Sequence, residues 1–510
     1  MAPNSSPTVN PQALGNFFDD VARVLGEANI SRTPSHGALE GTQGRKSYGD
    51  PFSTSEIHAP SGAVRPSTVE EVQEVVKLAN KHKVCLWTVS RGKNLGEEYG
   101  YTIVEPGVSF FDLYEEIQRR GLSLWPSVPA IAWGSVLGNT MDRGFGYTPN
   151  GEHSQSQCGM EVVLPNGELL RTGMGAMNYN KTFALYKGYV HISLAALCKP
   201  IGMHITPAPE AYATLEVSVP EEADLIPLTG TLSDLMRRSI ILNSPSIANI
   251  FRIALTSNVP EVHAKLAQYM KPNSYVPYDV LERIRAEHNW GFWKAYFSLY
   301  SSVEMLPALI QTVQRAFSTI PGVKIEWREF PGSPGRAITT AEIKEEQIPH
   351  SGIPTLGPLG IVDSRSEKGG AHVDFSPIIP PSGRELYEWY LTAKQRTIDA
   401  KFDFFADFHV YPRYVVGIEL VIYTLREEAR VLGLCRNLLH DGAEQGYMEY
   451  RTHVRYMDQI AAKLNFNDFA INKFTRRLKD VLDPNGVLSP GKSGIWNGYV
   501  QFDNVLQRKL

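Results

Sequence analysis

The sequence predicts an α+β protein of two domains, on three observations. Helical and strand periodicities alternate over residues 67–121, glycines are dense over residues 134–151, and long amphipathic segments alternate with strands over residues 209–446. A chain of 510 residues is long enough to build two or more domains, each with its own core.

The first predicted element is a helix from about Pro11 to Gly26, with Asn10 as its cap. Its apolar side is predicted to carry Phe17, Phe18, Val21 and Val24. Residues 33–52 are rich in glycine, serine and proline, which predicts a loop before the organised part of the chain begins.

A helix, a strand and a turn are predicted next. Ser67 and Glu70 have the spacing of a capping box, which starts a helix with apolar residues at helical intervals. A strand over Val84–Ser90 then opens into a glycine-containing turn, Arg91–Gly96. Such a turn can present several backbone amides to a pyrophosphate, although most glycine turns after strands are only turns.

Further elements follow the same alternation. A strand is predicted over Tyr101–Glu105, and then a helix over Phe110–Arg120, which Ser109 caps and Gly121 ends. The remaining predicted elements are a hairpin around Pro165-Asn166-Gly167, a helix over Met305–Phe317, a strand over Val415–Tyr423, a strand beginning near His372 and a turn at Asp483–Gly486.

Composition excludes several classes of function. The net charge of −4 gives no basic surface for nucleic acid, and no apolar run is long enough to span a membrane. The four cysteines show no CxxC or Cys/His spacing, so we expect reduced thiols and no metal site. Without a signal peptide at Met1–Val9 we expect a cytoplasmic protein, or a peroxisomal one if Arg508-Lys509-Leu510 is read as an import signal.

A series of motifs in this chain resembles the vanillyl-alcohol oxidase family of FAD enzymes, which includes eugenol oxidase and para-cresol methylhydroxylase. The motifs, in the family's order, are Gly134–Asn139, Gly144–Pro149, Gly159–Leu164, Gly173–Ala176, Gly370–His372, Phe375–Pro377, Glu449–His453 and Asp483–Gly486. The resemblance implies an FAD-binding domain of the para-cresol methylhydroxylase type and a cap domain with a large antiparallel sheet.

The resemblance also implies a division of the chain. Residues 1–55 form an N-terminal helix and loop, residues 56–208 the FAD-binding domain, and residues 209–446 the cap over the substrate. Residues 447–510 return to the FAD domain. The changes in sequence composition near residues 209 and 446 agree with this division.

For the cofactor, the resemblance implies FAD and a set of residues that bind it. Gly92, Lys93 and Asn94 lie where the family binds pyrophosphate, and His372 lies where a neutral imidazole is joined covalently to the flavin methyl group. The other implied contacts are Ser135, Asn139, Gly144, Gly146 and Lys492. Without the resemblance, His372 would be a structural histidine and Lys492 a surface lysine.

For catalysis, the resemblance implies that Tyr450 and Arg451 bind a phenolic substrate as its phenolate. Adjacent residues on a regular strand point to opposite faces, so both can reach one ligand only at a bend or a strand end. Tyr147 is implied to line the same pocket, with plain packing as its alternative. Without the resemblance, Arg451 would be a solvated side chain beside a half-buried tyrosine.

Three departures from the family are visible. After Gly96 a strand, its turns and the family's second phenolate-binding tyrosine are missing, and Tyr186–Pro200 replaces a segment that contacts FAD. Ala130 stands where relatives have an aspartate near flavin N5, and alanine cannot assist catalysis or flavin attachment as that carboxylate does.

These observations leave three hypotheses. The first is FAD-dependent oxidation of para-substituted phenols by hydride transfer to flavin N5, through a quinone methide, with molecular oxygen or another electron acceptor reoxidising the flavin. The second is oxidation of a hydroxy acid or lactone, which needs no phenolate clamp. The third is an impaired or non-catalytic member. Relatives are often dimers or larger, so a homo-oligomer is expected.

Overall fold

The computed structural model describes residues 10–32, 61–86, 93–96, 100–177, 181–183, 185, 197–332, 349–365 and 370–498. The chain divides into two compact units. The first unit is Met1–Ser90 with Cys158–Gly202 and His453–Leu510, and the second unit is Arg91–Gln157 with Met203–Thr452. The domain boundaries expected at residues 55, 208 and 446 stay predictions.

In chain order the described α-helices are α1 (Pro11–Leu25), α2 (Val69–His82), α3 (Phe110–Arg120), α4 (Val136–Met141), α5 (His153–Ser156), α6 (Leu225–Arg237), α7 (Ile250–Leu255), α8 (Pro260–Ala267), α9 (Tyr278–Glu287), α10 (Leu306–Phe317), α11 (Gly383–Asp399), α12 (Glu428–Glu444), α13 (Met457–Ala461) and α14 (Phe466–Leu482). Within the described residues, no helix has both the length and the apolar character needed to cross a membrane.

The described β-strands are β1 (Ile30–Ser31), β2 (Ala63–Val64), β3 (Lys93–Gly96), β4 (Tyr101–Val104), β5 (Leu124–Trp125), β6 (Gln157–Val163), β7 (Leu169–Arg171), β8 (Leu197–His204), β9 (Thr206–Pro207), β10 (Ala211–Val219), β11 (Ser246–Asn249), β12 (Trp293–Ser301), β13 (Lys324–Pro331), β14 (Gly370–Phe375), β15 (Pro377–Ile379), β16 (Phe405–Val410), β17 (Val415–Thr424) and β18 (Met448–Glu449).

The first unit begins with α1, which confirms the first predicted helix. Asn10 caps it, since its side-chain oxygen accepts a hydrogen bond from Gln12 N at 2.9 Å. Phe17, Phe18 and Val21 are buried as predicted, in a core that α1 shares with α2. Val24 is 39% exposed, so its place on the apolar side was wrong and the next residue, Leu25, is buried instead.

The capping box of α2 lies one residue later than predicted. Thr68, in an extended conformation, is the N-cap, and its hydroxyl accepts a hydrogen bond from Glu71 N at 3.2 Å. The Glu71 carboxylate in turn accepts from the backbone amides of Ser67 and Thr68. The predicted strand that follows is described only as far as Leu86, which forms a parallel bridge with Leu488.

A hairpin in the first unit confirms the predicted turn at Pro165-Asn166-Gly167. β6 and β7 pair antiparallel, and Gly167 has a φ of 87°, a conformation that glycine adopts readily. β8 lies on the other side of β6. The turn at Asp483–Gly486 is also confirmed, because Gly486 N donates to Asp483 O at 2.9 Å.

In the second unit, the predicted turn Arg91–Gly96 is wrong over its last four residues. Lys93–Gly96 form β3, which pairs antiparallel with β4. β3 and β4 lie before and after the point at which a strand of the family is missing. They pair with each other, so their facing backbone hydrogen-bonding groups are satisfied without that strand. The helix predicted at Phe110–Arg120 is confirmed as α3, with its predicted cap and its C-terminal glycine.

The large antiparallel sheet that we expected dominates the second unit. Its strand order is β13-β10-β12-β11-β16-β17-β15-β18, and β14 also pairs with β17. All these pairs are antiparallel. The helix predicted at Met305–Phe317 and the strand predicted at Val415–Tyr423 are confirmed as α10 and β17.

The two faces of this sheet differ in character. One face, which we call the helix face, carries large apolar side chains that contact helices. Phe297 packs on Phe317 of α10, and Phe375 packs on Trp389 of α11. Because successive side chains on a strand alternate, the residues between these point to the opposite face, which we call the polar face.

Candidate active site

Four chemically active side chains lie on the polar face. In the registers of β14 and β16 with β17, His372 is opposite Ile422, Asp374 is opposite Leu420, and His409 is opposite Val416. Side chains of directly opposed residues point to the same face, so His372, Asp374, Asp407 and His409 share it. The strand predicted to begin near His372 is confirmed as β14.

The centre of the polar face is open. His372, Asp374, Ile418 and Leu420 are only half-buried, although β17 has neighbouring strands on both sides. Their neighbours on the helix face, such as Phe375 and Val421, are each 3% exposed. This half-buried floor is a mainly apolar surface with a histidine and a carboxylate at its edge.

Tyr450 and Arg451 follow directly after the end of β18. Tyr450 N donates to Ser376 O at 3.2 Å, and both residues form a bend, so the alternation of a regular strand no longer separates them. The guanidinium carbon of Arg451 lies 5.5 Å from the centre of the Tyr450 ring. Tyr450 is half-buried and Arg451 is exposed. The two side chains therefore lie in contact with each other, and their shared role at one ligand stays a prediction.

Burial raises the pKa of the Tyr450 hydroxyl to about 12, and the carboxylates of Asp374, Glu449 and Asp142 act in the same direction. The charge of Arg451 opposes this shift. The hydroxyl therefore stays protonated over the physiological range and can donate a hydrogen bond. A protonated phenol beside a permanent cation is suited to stabilise an anionic oxygen.

An aromatic cluster extends from Tyr450 across the polar face. The Phe145 ring lies 6.3 Å from the Tyr450 ring and 4.6 Å from the His409 ring. Tyr147 is buried, and its ring lies 5.4 Å from His409 and 5.1 Å from His350. Tyr147 is thus brought into the same cluster as Tyr450, with Phe145 between them. Its role in catalysis stays a prediction.

Sequence reasoning missed a buried polar group beside this cluster. Asp407 Oδ1 accepts a hydrogen bond from the Ser246 hydroxyl at 2.5 Å, and Asp407 Oδ2 pairs with Arg252 at 3.3 Å and with His409 at 3.4 Å. Despite its burial, these partners hold the pKa of Asp407 well below its usual range. The only signal in the sequence is the alternation Asp407-Phe408-His409, which places two polar groups on one face of a strand.

The glycine-rich run that supplies Phe145 and Tyr147 is packed against its own fold. A side chain on Gly144 would meet Asn139 Oδ1 at 2.0 Å, and one on Gly146 would meet Ser127 Oγ at 2.3 Å. Asn139 Oδ1 is also 2.6 Å from His153 Nδ1, and the Ser135 hydroxyl accepts from Gly138 N. Close packing therefore explains these glycines, and cofactor contacts by Ser135, Asn139, Gly144 and Gly146 stay predictions.

For the remaining predicted cofactor residues the structure gives a position in the fold at most. Lys93 and Asn94 lie on β3, and Gly92 falls outside the described residues. Lys492 is half-buried in a short 3-10 helix of the first unit. Ala130 is a half-buried loop residue, and residues 186–196 fall outside the described residues. The cofactor roles predicted for these positions stay predictions.

The chain is similar to known proteins. Residues 95–173 match the family described as FAD binding domain. The flavoprotein subunit of 4-cresol dehydrogenase [hydroxylating] from Pseudomonas putida is 32% identical over 476 residues, which covers 86% of this chain and 88% of that protein.

Two solved structures are similar over almost their whole length. One is 4-ethylphenol oxidase from Gulosibacter chungangensis in complex with isoeugenol, with a TM-score of 0.84, 26% identity and coverage of 97% of this chain and 99% of that one. The other is p-cresol methylhydroxylase with substrate bound, with a TM-score of 0.82, 27% identity and the same coverage. The chain therefore belongs to the vanillyl-alcohol oxidase and p-cresol methylhydroxylase family of FAD-linked oxidoreductases, and FAD is its cofactor.

Proposed function

We propose that this protein oxidises para-substituted phenols and that Tyr450 and Arg451 bind the substrate oxygen. The observation that carries the proposal is the contact between these two side chains at the bend after β18, on the sheet whose polar face carries the half-buried floor. Relatives named for 4-cresol, 4-ethylphenol and p-cresol support the same substrate class.

The half-buried floor fits the ring system of FAD. Ile418 and Leu420 provide an apolar surface, and the half-buried His372 stands at its edge, where it can be reached by a ring lying on the floor. When bound, FAD supplies a hydride acceptor. We infer that His372 holds the flavin, with its imidazole nitrogen as the nucleophile for a covalent bond.

The chemistry of the substrate follows from the charges of the site. Arg451 favours the phenolate over the neutral phenol, and the Tyr450 hydroxyl donates a hydrogen bond to the same oxygen. Negative charge on that oxygen raises electron density at the para carbon, so that the C–H bond next to the ring can release a hydride. The oxidised substrate is then a neutral quinone methide, to which water can add.

The pair of Tyr450 and Arg451 also distinguishes this proposal from the other two hypotheses. A hydroxy acid or a lactone has no phenolic oxygen, so the Tyr450–Arg451 arrangement would have no partner in such a substrate. The third hypothesis, an impaired member, is motivated by Ala130, where a carboxylate is missing. This third hypothesis predicts that the protein binds FAD but that phenols do not reduce the bound flavin.

The test is anaerobic reduction of the FAD-loaded protein by a matched pair of compounds, 4-methylphenol and its methyl ether, 4-methylanisole. The proposal predicts loss of the absorbance of oxidised flavin with the phenol and none with the ether, which cannot ionise. Arg451→Ala should slow the reduction at least roughly tenfold, and Arg283→Ala, at an exposed ion pair on α9, should not. Equal rates with both compounds, or no reduction by the phenol, would contradict the proposal.

A further inference from the structure

A group of buried charged side chains precedes β14, the strand that carries His372. Its centre is Arg365, the last residue of a 3-10 helix over Gly357–Arg365, and the side chain of Arg365 is only 1% exposed. Its guanidinium donates to Asp403 Oδ2 at 2.5 Å and to Glu427 Oε1 at 3.4 Å. Both carboxylate side chains are buried as well. We call Arg365, Asp403 and Glu427 the Arg365 cluster.

The Arg365 cluster joins segments that are distant in the sequence. Asp403 lies two residues before β16, and Glu427 lies three residues after the end of β17. Arg365 also donates to the carbonyl oxygens of Lys271 and Ser274, at 2.7 Å and 3.0 Å. β14 begins five residues after Arg365. One guanidinium group therefore connects the ends of two strands of the large sheet with the segment that leads into a third.

A second set of contacts leads from the Arg365 cluster to β14 itself. Glu427 Oε2 accepts hydrogen bonds from the amide and the hydroxyl of Thr424, at 3.0 Å and 3.1 Å. Thr424 is the last residue of β17, and it is opposite Gly370, the first residue of β14. The carboxylate that Arg365 binds thus also holds the residue that faces the start of β14.

The start of β14 has little else to fix its register. Gly370 and Ala371 have no large side chain, whereas Phe375, at the other end of the strand, packs on Trp389. The register of a strand is weakly specified where its side chains are small, and a slip of one residue turns every side chain to the other face. Such a slip against β17 would move His372 from the polar face to the helix face.

Stability alone is a poor explanation for the Arg365 cluster. Burial of charged groups has a desolvation cost that their attraction only partly offsets, and apolar residues often stabilise a core equally well. Burial raises the pKa of Asp403, and Arg365 only opposes this rise. The planar guanidinium, however, reaches its carboxylate and carbonyl acceptors together only in a defined arrangement of the segments that carry them. The cluster therefore specifies that arrangement.

We propose that the Arg365 cluster positions His372 for its bond with the flavin. The cluster fixes Thr424, and with it the start of β14, in the register that turns His372 to the polar face. Arg365 and Glu427 are therefore positioning residues, which act on the flavin through His372. This role rests on the covalent role of His372 in the proposed function.

The first measurement reads the fixation of β14, by hydrogen exchange with mass spectrometry on the FAD-loaded protein. Arg365→Lys keeps the charge, but a single ammonium group cannot replace the planar fork. We expect the β14 amides to exchange roughly tenfold faster in this variant, because a charged hydrogen bond no longer opposes local opening. Peptides from β10 and β12 should exchange as in the wild type.

The matched control is Arg285→Lys on α9. Arg285 is also a partly buried arginine that pairs with a carboxylate, Glu282, and donates to a backbone carbonyl, that of Pro220. It has no contact with the Arg365 cluster among the contacts given above. We expect the exchange of β14 in Arg285→Lys to equal that of the wild type.

The second measurement reads the effect on His372. After acid precipitation of the FAD-loaded protein, we determine the fraction of the bound flavin that stays in the pellet. A displaced nucleophile reacts more slowly, so this fraction should fall roughly twofold or more in Arg365→Lys. The total flavin bound to the folded protein should not change, and Arg285→Lys should retain the wild-type fraction. A cluster that only stabilises the fold would leave the fraction unchanged.

Wild-type exchange of β14 in Arg365→Lys would overturn the inference, and so would faster exchange with an unchanged pellet fraction. If the wild type itself leaves no flavin in the pellet, the covalent role of His372 fails, and the link from the cluster to the flavin fails with it. Hydrogen exchange then still decides whether the cluster fixes β14. If Arg365→Lys does not fold, Glu427→Gln carries both measurements, because it loses the charge but keeps an acceptor for Thr424.

Discussion

Replacing Tyr450 by phenylalanine removes one hydroxyl from the candidate oxyanion site and keeps the ring under Arg451. The hydroxyl is a neutral donor, because its pKa is raised to about 12. A hydrogen bond from a neutral donor to a charged acceptor contributes about 1.5–3 kcal/mol, so its loss should slow the reaction roughly ten- to hundredfold. The ring contact with Arg451, at 5.5 Å, does not depend on the hydroxyl and should persist.

The assay is stopped-flow reduction of the flavin by 4-methylphenol without oxygen, which isolates the chemical step from reoxidation. The matched control is Tyr447→Phe, three residues earlier, whose hydroxyl is bonded to Glu385 on the helix face. We expect flavin reduction to be slow in Tyr450→Phe and unchanged in Tyr447→Phe. A Tyr450→Phe variant that reduces its flavin at the wild-type rate would refute the role assigned to the hydroxyl.

Three further predictions concern the cofactor and the fold. His372→Ala should release its flavin into the supernatant when the protein is precipitated with acid, whereas the wild type should retain colour in the pellet; release from both would exclude the covalent bond. Gly144→Ala should lower the free energy of unfolding by about 1–3 kcal/mol, because the added carbon meets Asn139 Oδ1 at 2.0 Å, and Gly15→Ala, with nothing within 4 Å, should not. The folded chain binds the Glu419 proton more tightly than the unfolded chain between about pH 4.5 and 8, so stability falls over that range, and Glu419→Gln should flatten the fall in a pH series of denaturant titrations.

Local sequence signals predicted local structure well. The bounds of α3 and its caps follow from a serine three residues before an acidic side chain and from a glycine after the last basic residue. The capping box of α2 was predicted one residue early because two residue pairs, Ser67 with Glu70 and Thr68 with Glu71, both have the spacing of a capping box. Only the extended backbone conformation of Thr68 identifies it as the N-cap.

Errors arose where distant segments decide the local structure. Lys93–Gly96 contains a glycine at its end and resembles a turn, but pairing with Tyr101–Val104 makes it a strand. The close packing of Gly144 against Asn139 and of Gly146 against Ser127 was also not predicted, and the cofactor contacts of these glycines stay predictions. Neither effect is visible in a short window of sequence.

The candidate site was predicted only in part for the same reason. Tyr450, Arg451, Tyr147 and His372 were found through a resemblance of motifs. Asp407 and His409 belong to no motif that we recognised, because their contacts with Ser246 and with the centre of the polar face come from the register of β11, β16 and β17 in the antiparallel sheet. The alternation of side chains along a strand determines on which face of the sheet a residue lies. Only the pairing of strands determines which residues are its neighbours on that face.

The central claim, that Tyr450 and Arg451 bind the substrate oxygen as an anion, is tested most directly with 4-chlorophenol, which has no para C–H bond to oxidise. Difference absorbance on binding to the FAD-loaded protein at about pH 7 should contain the red-shifted band of the phenolate, although the free compound is neutral at that pH. Arg451→Ala should remove the band. A bound ligand with the spectrum of the neutral phenol in the wild type would contradict the account.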